Sequence, residues 1–388
     1  MQNHLIYIAN ARIPTEKAHG LAVMKLCEAF AKEGLAVTLL TADRHNPVQD
    51  DPFSYYDITQ KFQIERLPVW DTIRFWWLGP VGFWIESISF TISLVMRLRR
   101  LRRTLVPETT ILFSHEHLPL LAGSFVYPLA FYDMHDFPVR GRLLYRLLFS
   151  RLRGIVTTNQ WKKNELQKRF RVSPERLFAF PNGVDVGTFS LPVSRIEARQ
   201  KLNLPRDKKI VLYTGHLYSW KGVDTLLTAS RVLPHDMVLY IVGGTDRDIT
   251  KRKAQSAKQG LRNIIFTGHK PHREIPLWLR AADVLVIPNT AKEEISLHFT
   301  SPMKLFEYMA SGTPIVASRI PSIEAVVDEQ SVWFFEADNP ASCARAIITA
   351  SGEPNRKKTE HAQTLVQTYT WDARAREILQ FIATRRIS

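Results

Sequence analysis

The sequence predicts an α/β protein of two doubly wound parallel-sheet halves, whose strand ends face each other across a cleft. Three observations predict it. Short apolar runs alternate with helical stretches in both halves, the mark of strand–helix–strand units. A turn-rich segment, Phe180-Pro181-Asn182-Gly183-Val184-Asp185, separates the halves. The 388 residues suit two or three domains and carry 45% hydrophobic and 23% charged residues, which excludes disordered and fibrous classes.

The elements follow in order. Residues 5–9 read as a buried strand. Over 18–33, Val23, Leu26, Cys27 and Phe30 fall at the helix period, and Gly34 suits the stop. Residues 35–41 form the next strand, completing a βαβ unit. Further strands are expected at 110–114, 129–133 and 154–158. The second half repeats the pattern at 209–214, 237–242, 263–267, 284–288 and 314–317. The expected domains are 1–185 and 186–368, followed by a helical tail, 369–388. In such sheets ligands bind at the C-terminal ends of the strands.

The chain is basic: 52 Lys and Arg against 37 Asp and Glu, a net +15. That balance points to an acidic partner, whether nucleic acid, an anionic membrane or a phosphorylated substrate. Residues 1–180 hold 24 Lys and Arg against 16 Asp and Glu, a net +8. A few phosphates on a substrate need far less. One segment, 75–96, is rich in Trp and Ile and is followed by Arg97, Arg99, Arg100, Arg102 and Arg103. It reads as a loop plus a partly buried helix, as an interfacial element with Trp76, Trp77 and Trp84 at headgroup level, or as a membrane span. Gly79-Pro80 is expected to interrupt its helix. Two cysteines, Cys27 and Cys343, exclude a disulfide framework and a Cys-rich zinc site. The opening residues read as a strand and not a signal peptide. No nucleic-acid recognition motif is found.

Two stretches carry chemistry. From Ser301 to Ala317 a helix has both ends marked: Ser301 as N-cap, Pro302 at the first position, Gly312 at the stop. Its N-terminus offers free N–H groups to an anion. Lys304 and Glu307, three apart, share a face. They read either as a surface ion pair or as a phosphate contact with a ribose-binding carboxylate beyond it. The second stretch, Tyr213 to Gly222, is a glycine-bracketed strand-to-helix loop holding His216 and Lys221, suited to a diphosphate. Asp246-Arg247-Asp248 reads as a solvated turn. His115-Glu116-His117 lacks a third metal ligand at a recognisable spacing.

Taken in order, these motifs resemble the GT-B glycosyltransferases, specifically glycosyltransferase family 4. The resemblance rests on the 215–222 loop, Pro181-Asn182-Gly183-Val184-Asp185, Phe266-Thr267-Gly268-His269 ahead of Ala281-Ala282-Asp283-Val284, the 301–317 helix and strand, and Tyr369-Thr370-Trp371-Asp372. Ile13 to Gly20 and Met134-His135-Asp136 fit in the first half. It spans nearly the whole chain and is most specific from 181 to 318.

The resemblance implies two Rossmann-like domains: an N-terminal acceptor domain and a C-terminal donor domain. The tail helix crosses back onto the first. It implies a retaining, metal-independent transfer from a nucleotide-sugar, with no bound cofactor. His135, Lys221 and Glu307 are the expected catalytic residues. His19, Gly20, Gly215, His216, His269, Lys270, Pro271, Ser301, Pro302, Met303 and Lys304 are expected at the donor, and His115 and His117 on the acceptor side. Two positions depart from the family pattern. His216 stands where many members carry Arg. Phe299 stands where many carry a second glutamate, a role open to Glu293, Glu294 or His298. The expected acceptor is lipid-linked or a surface saccharide at the cytoplasmic face of an anionic membrane. A soluble acceptor, or a nucleotide-binding protein without activity, is the alternative.

Overall fold

A computed structural model describes residues 3–352 and 356–386. The chain divides into two compact units, one of residues 1–182 with 371–388 and the other of 183–370.

The first unit is built on a seven-stranded parallel sheet. Its strands are β1 (His4–Ala9), β2 (Ala36–Asp43), β3 (Gln63–Pro68), β4 (Ile111–Ser114), β5 (Ala130–Met134), β6 (Gly154–Thr157) and β7 (Leu177–Ala179). They lie in the order β3-β2-β1-β4-β5-β6-β7. The second unit holds β8 (Lys209–Thr214), β9 (Met237–Val242), β10 (Ile264–Gly268), β11 (Val284–Ile287), β12 (Ile315–Arg319) and β13 (Trp333–Glu336). Their order is β10-β9-β8-β11-β12-β13. Both sheets are all-parallel, so helices cover both faces and the central strands are almost wholly buried. The strand order reverses between β1 and β4 in one sheet and between β8 and β11 in the other. Those are the switch points where crevices form.

Three strands escape the sequence reading: β3, β7 and β13. All are sheet edges. An edge strand needs no continuous apolar run: β3 buries only Leu67, and β7 is three residues long. Three local readings are corrected as well. Gly79-Pro80 does not interrupt a helix but opens one, Gly79–Leu101, because proline suits the first turn. Ser301 is not the N-cap: the helix runs Met303–Ser311, Pro302 holds the cap position, and no side chain caps it. Asp246-Arg247-Asp248 is not a loop but the first turn of the helix Asp246–Lys258, with Thr245 and Asp248 forming a capping box.

The helix Trp371–Arg386 belongs to the first unit and packs on the helix Ala18–Lys32. It buries Ala375, Ile378 and Ile382 together with Arg374, which has no exposed surface. A buried arginine demands acceptors, and Arg374 finds them in the carbonyls of Phe180 and Pro181 and in the Asp133 carboxylate, 2.6 Å away.

Candidate functional site

In the second unit the site grows from glycines at strand ends. Gly215 follows β8 with φ +122°, and Gly243 follows β9 with φ +116°. A Cβ on Gly243 would collide with the Gly215 carbonyl, so the two backbones approach this closely only because Gly243 carries no side chain. A Cβ on Gly215 would lie 3.2 Å from Lys304 Nζ. Gly222 starts the helix Val223–Ala229 at φ +65°, and a Cβ there would strike the Pro288 carbonyl.

Cations converge on this corner. Lys304 is buried, its Nζ sits 3.8 Å over the Tyr213 ring, and it has no hydrogen-bond partner. The reading of Lys304 and Glu307 as a surface ion pair is thereby corrected. Burial, and then the charge of Lys221, hold the Lys304 ammonium well below the usual lysine range. Lys221 Nζ lies 3.7 Å over Trp220, and burial pulls it down to about 7. His216 is biased to its neutral form by burial, then by Lys221, Lys304 and His269. Helix Met303–Ser311 is tied to β8 by Tyr308, whose hydroxyl accepts from Thr214 N at 2.9 Å.

Glu307 accepts instead from His272 Nε2 at 3.2 Å. His272 begins the short turn His272–Glu274 that follows His269, Lys270 and Pro271. It was not expected from sequence, nor was Asn289. Asn289 lies at the switch point just past β11, is fully buried, and leaves both side-chain amide atoms without a partner. Such groups are rare in folded proteins, and both amide atoms of Asn289 are free to bond to another polar group. Its sequence signal is a polar residue two positions past the apolar run of β11, after Pro288. Pro302 is buried and Met303 half-buried at the helix start, beside Ser301. Glu293 and Glu294 precede the π-helical turn Ile295–Phe299, which carries His298 and Phe299.

The first unit has its own pocket at the β1/β4 switch point. It has a volume of about 440 Å³ and gathers His19, His115, Glu116, His117, His135 and Tyr145. His115 Nε2 lies 3.4 Å from Glu116 Oε1. Burial opposes a charge on His115, but the Glu116 hydrogen bond and charge outweigh it and raise its pKa. His117 packs its ring on Tyr145 at 5.3 Å. Gly20 is buried against Thr15 and Tyr56 in the first turn of the helix that carries His19.

His135 stands just past β5, its Nε2 3.1 Å from Asp133 Oδ2. Burial alone would raise the Asp133 pKa. Arg374, then His135, reverse that and hold its carboxyl well below the usual range. Beneath lies Lys162, fully buried, donating to the His135 carbonyl and, at 2.7 Å, to Thr158 Oγ1. Burial pulls Lys162 down to about 7. Arg374, Asp133 and Lys162 were all missed in the sequence, because a buried charge looks like a surface one until its partners are placed. Among the described residues, no group of His, Cys, Asp or Glu is arranged to hold a metal ion.

The helix Gly79–Leu101 is long and apolar enough to cross a membrane by length and composition. One face, however, is packed in the first unit: Gly82, Glu86, Phe90, Leu94 and Leu98 are buried. Glu86 there accepts from Arg44 Nε at 2.7 Å and Asn10 Nδ2 at 3.1 Å. The other face exposes Trp84, Ile88 and Ile92, and Trp76 and Trp77 stand out just before it. Arg97 is removed from the set of free arginines: it pairs with Glu65 at 2.6 Å.

Two family models match the chain: Glycosyltransferase Family 4 over residues 20–188 and Glycosyl transferases group 1 over 208–352. The D-inositol 3-phosphate glycosyltransferase of Xylanimonas cellulosilytica is 26% identical over 59% of this chain and 56% of its own length. A second, from Catenulispora acidiphila, is 28% identical over 52% and 50%. The chain thus spans about half the length of these curated relatives. Among solved structures, Anabaena Alr3699/HepE in complex with UDP and glucose superposes with a TM-score of 0.74 at 15% identity, covering 99% of this chain and 100% of that one. WaaG, a glycosyltransferase involved in lipopolysaccharide biosynthesis, gives 0.68 at 18% identity over 96% and 99%. With one model on each unit and a fold shared from end to end with such enzymes, the chain belongs to the GT-B glycosyltransferases of the family 4 type.

Proposed function

We propose that the protein is a retaining glycosyltransferase that moves a sugar from a nucleotide-sugar to a lipid-linked or surface-saccharide acceptor at the cytoplasmic face of a membrane. The observation that carries the donor half is the pair of desolvated lysines beside Gly215. Lys304 has no hydrogen-bond partner, and charging two neighbouring buried amines is unfavourable unless an anion joins them. A diphosphate supplies that anion. As the glycosidic bond breaks, negative charge grows on the leaving phosphate, and Lys221 and Lys304 stabilise it where a divalent cation would otherwise serve. Glu307 accepts from ribose hydroxyls in this reading, in competition with His272. Asn289 offers both a donor and an acceptor to the donor's polar groups.

No carboxylate nucleophile is required in this reading. The leaving phosphate accepts the proton of the incoming hydroxyl while both oxygens occupy one face of an oxocarbenium-like sugar. His135, oriented by Asp133, donates to or accepts from a sugar hydroxyl. The pocket of His115, His117 and Tyr145 takes the acceptor.

The test is transfer activity with a panel of nucleotide-sugars, with and without a chelator. Lys221→Ala and Glu307→Ala should each lower turnover by at least ~10-fold. Full activity in both would refute the site, and nucleotide binding without transfer by the unaltered protein would show an inactive binder. A second reading, transfer to a soluble phosphorylated polyol, is favoured by the relatives named for D-inositol 3-phosphate. Offering that compound and a lipid-linked saccharide side by side separates the two.

A further inference from the structure

The exposed face of the helix Gly79–Leu101 ends in a groove, and the two are continuous. At 100° per residue, Val81, Trp84, Ile88, Ile92, Val95, Arg99 and Arg102 fall on one stripe. It is opposite the face buried at Phe90 and Leu94. Trp84, Ile88 and Ile92 are each about half exposed. The stripe runs into a groove of about 580 Å³ whose walls are Val95, Leu118, Leu121 and Phe125 and whose cationic edge is Arg99 and Arg102. Phe125 is 61% exposed at its mouth and carries Arg151 over its ring at 4.5 Å.

The charge here is uncompensated. Among the described residues, the side chains of Arg99, Arg100, Arg102 and Arg103 have neither an ion pair nor a hydrogen bond, whereas neighbouring Arg97 has Glu65. Four like charges within five positions repel one another, and two of them, Arg99 and Arg102, stand beside the apolar wall of the groove. A soluble anion would satisfy the charge but leave the stripe in water; an apolar partner would do the reverse. An amphiphile satisfies both.

We propose that this groove seats the phosphate of an anionic phospholipid, its acyl chain lying along the stripe and the helix lying in the plane of the bilayer interface. The helix does not span, because Glu86 is held inside the unit by Arg44 and Asn10. The proposal deepens the membrane-face reading above and rests on it.

The experiment is flotation of the full chain with phosphatidylglycerol/phosphatidylcholine vesicles and with phosphatidylcholine alone, at fixed salt. Binding to the anionic vesicles is expected. Each basic residue at an anionic surface contributes about a five-fold factor in partitioning, so Arg99→Glu with Arg102→Glu should lower it by about 30-fold or more. The same charge change at Lys251 and Lys258, exposed in the second unit, should change it several-fold less. Trp84→Ser should weaken binding as well, with circular dichroism unchanged. Equal losses from the two charge reversals would overturn the groove while leaving membrane binding intact. Failure of the unaltered chain to float with anionic vesicles would overturn both readings. Binding to a single-stranded RNA with the same arginine dependence, and no loss in Trp84→Ser, would replace the lipid with a polyanion.

Discussion

Binding of a nucleoside diphosphate to the second unit should take up protons near neutral pH. The perturbation is the addition of UDP as a probe diphosphate, at pH values from about 6.5 to about 8.5. Lys221 titrates at about 7 in the free protein, so at pH 7.5 roughly three-quarters of it is neutral. A diphosphate against the ammonium returns it toward its ordinary value near 10.4, and ~0.75 proton is taken up. Lys304 lies well below its ordinary range and adds up to about one more. The last ionisation of the diphosphate, near pH 6, is nearly complete at 7.5 and subtracts little. The expected uptake is therefore between ~0.7 and ~1.7 protons, and affinity should strengthen as pH falls from about 8.5 to about 7. Calorimetry in buffers of different ionisation enthalpy reads the number directly. Lys221→Ala should remove ~0.75 of it. Net proton release, or affinity flat across that range, would refute the argument. The free protein should show the matching trend. Folded pKa values below the unfolded ones mean the unfolded chain binds more protons between about 7 and about 10, so stability rises with pH across that window.

Three further outcomes follow from the same geometry. Lys304→Met should raise the Tm of the free protein, by roughly 1–3 kcal/mol in stability, because it replaces a buried amine that lacks a hydrogen-bond partner with an apolar chain of similar shape; it should also abolish diphosphate binding, and a lower Tm would count against the cost of burying that amine. Arg374→Ala should cost about 3–5 kcal/mol in denaturant unfolding at neutral pH by leaving Asp133 uncompensated. The carboxyl of Asp133 is depressed, so this contribution is present above the unfolded value near pH 4 and lost as pH falls below it; a variant penalty unchanged in strong acid would contradict the assignment. Gly222→Ala should weaken nucleotide binding by at least ~10-fold, since a side chain at positive φ pressed against Pro288 O shifts the Lys221 loop, and unchanged affinity would show that the loop tolerates the shift.

The order of elements was legible because buried parallel strands write themselves as apolar runs, and eight of the ten central and edge strands that do so, from β1 to β12, fall within a residue of where the pattern puts them. The edge strands β3, β7 and β13 were not legible, since a strand with one neighbour has no need of two buried faces. At the donor corner the residue types could be read, but not their relations. Lys304 and Glu307 share a helix face, yet Glu307 is turned to His272, thirty-five positions away, and Lys304 to the Tyr213 ring. Asp133 and Arg374 are 241 positions apart, and no local pattern joins them. Arg97 and Arg99 look alike in the sequence; only the sheet edge, which brings Glu65 beside one of them, tells them apart.

Arg374 also sets a schedule for synthesis. It sits on a helix translated after the whole of the second unit, yet it completes the charge balance around Asp133 in the first. A nascent chain that has made residues 1–182 has every strand of its first sheet but lacks the cation that neutralises that buried carboxylate and clasps the Phe180 and Pro181 carbonyls. Domains ordinarily fold in turn as they leave the ribosome. Here the first unit gains its full set of contacts only after the second has been made, so the half that carries His135 is the last to be completed.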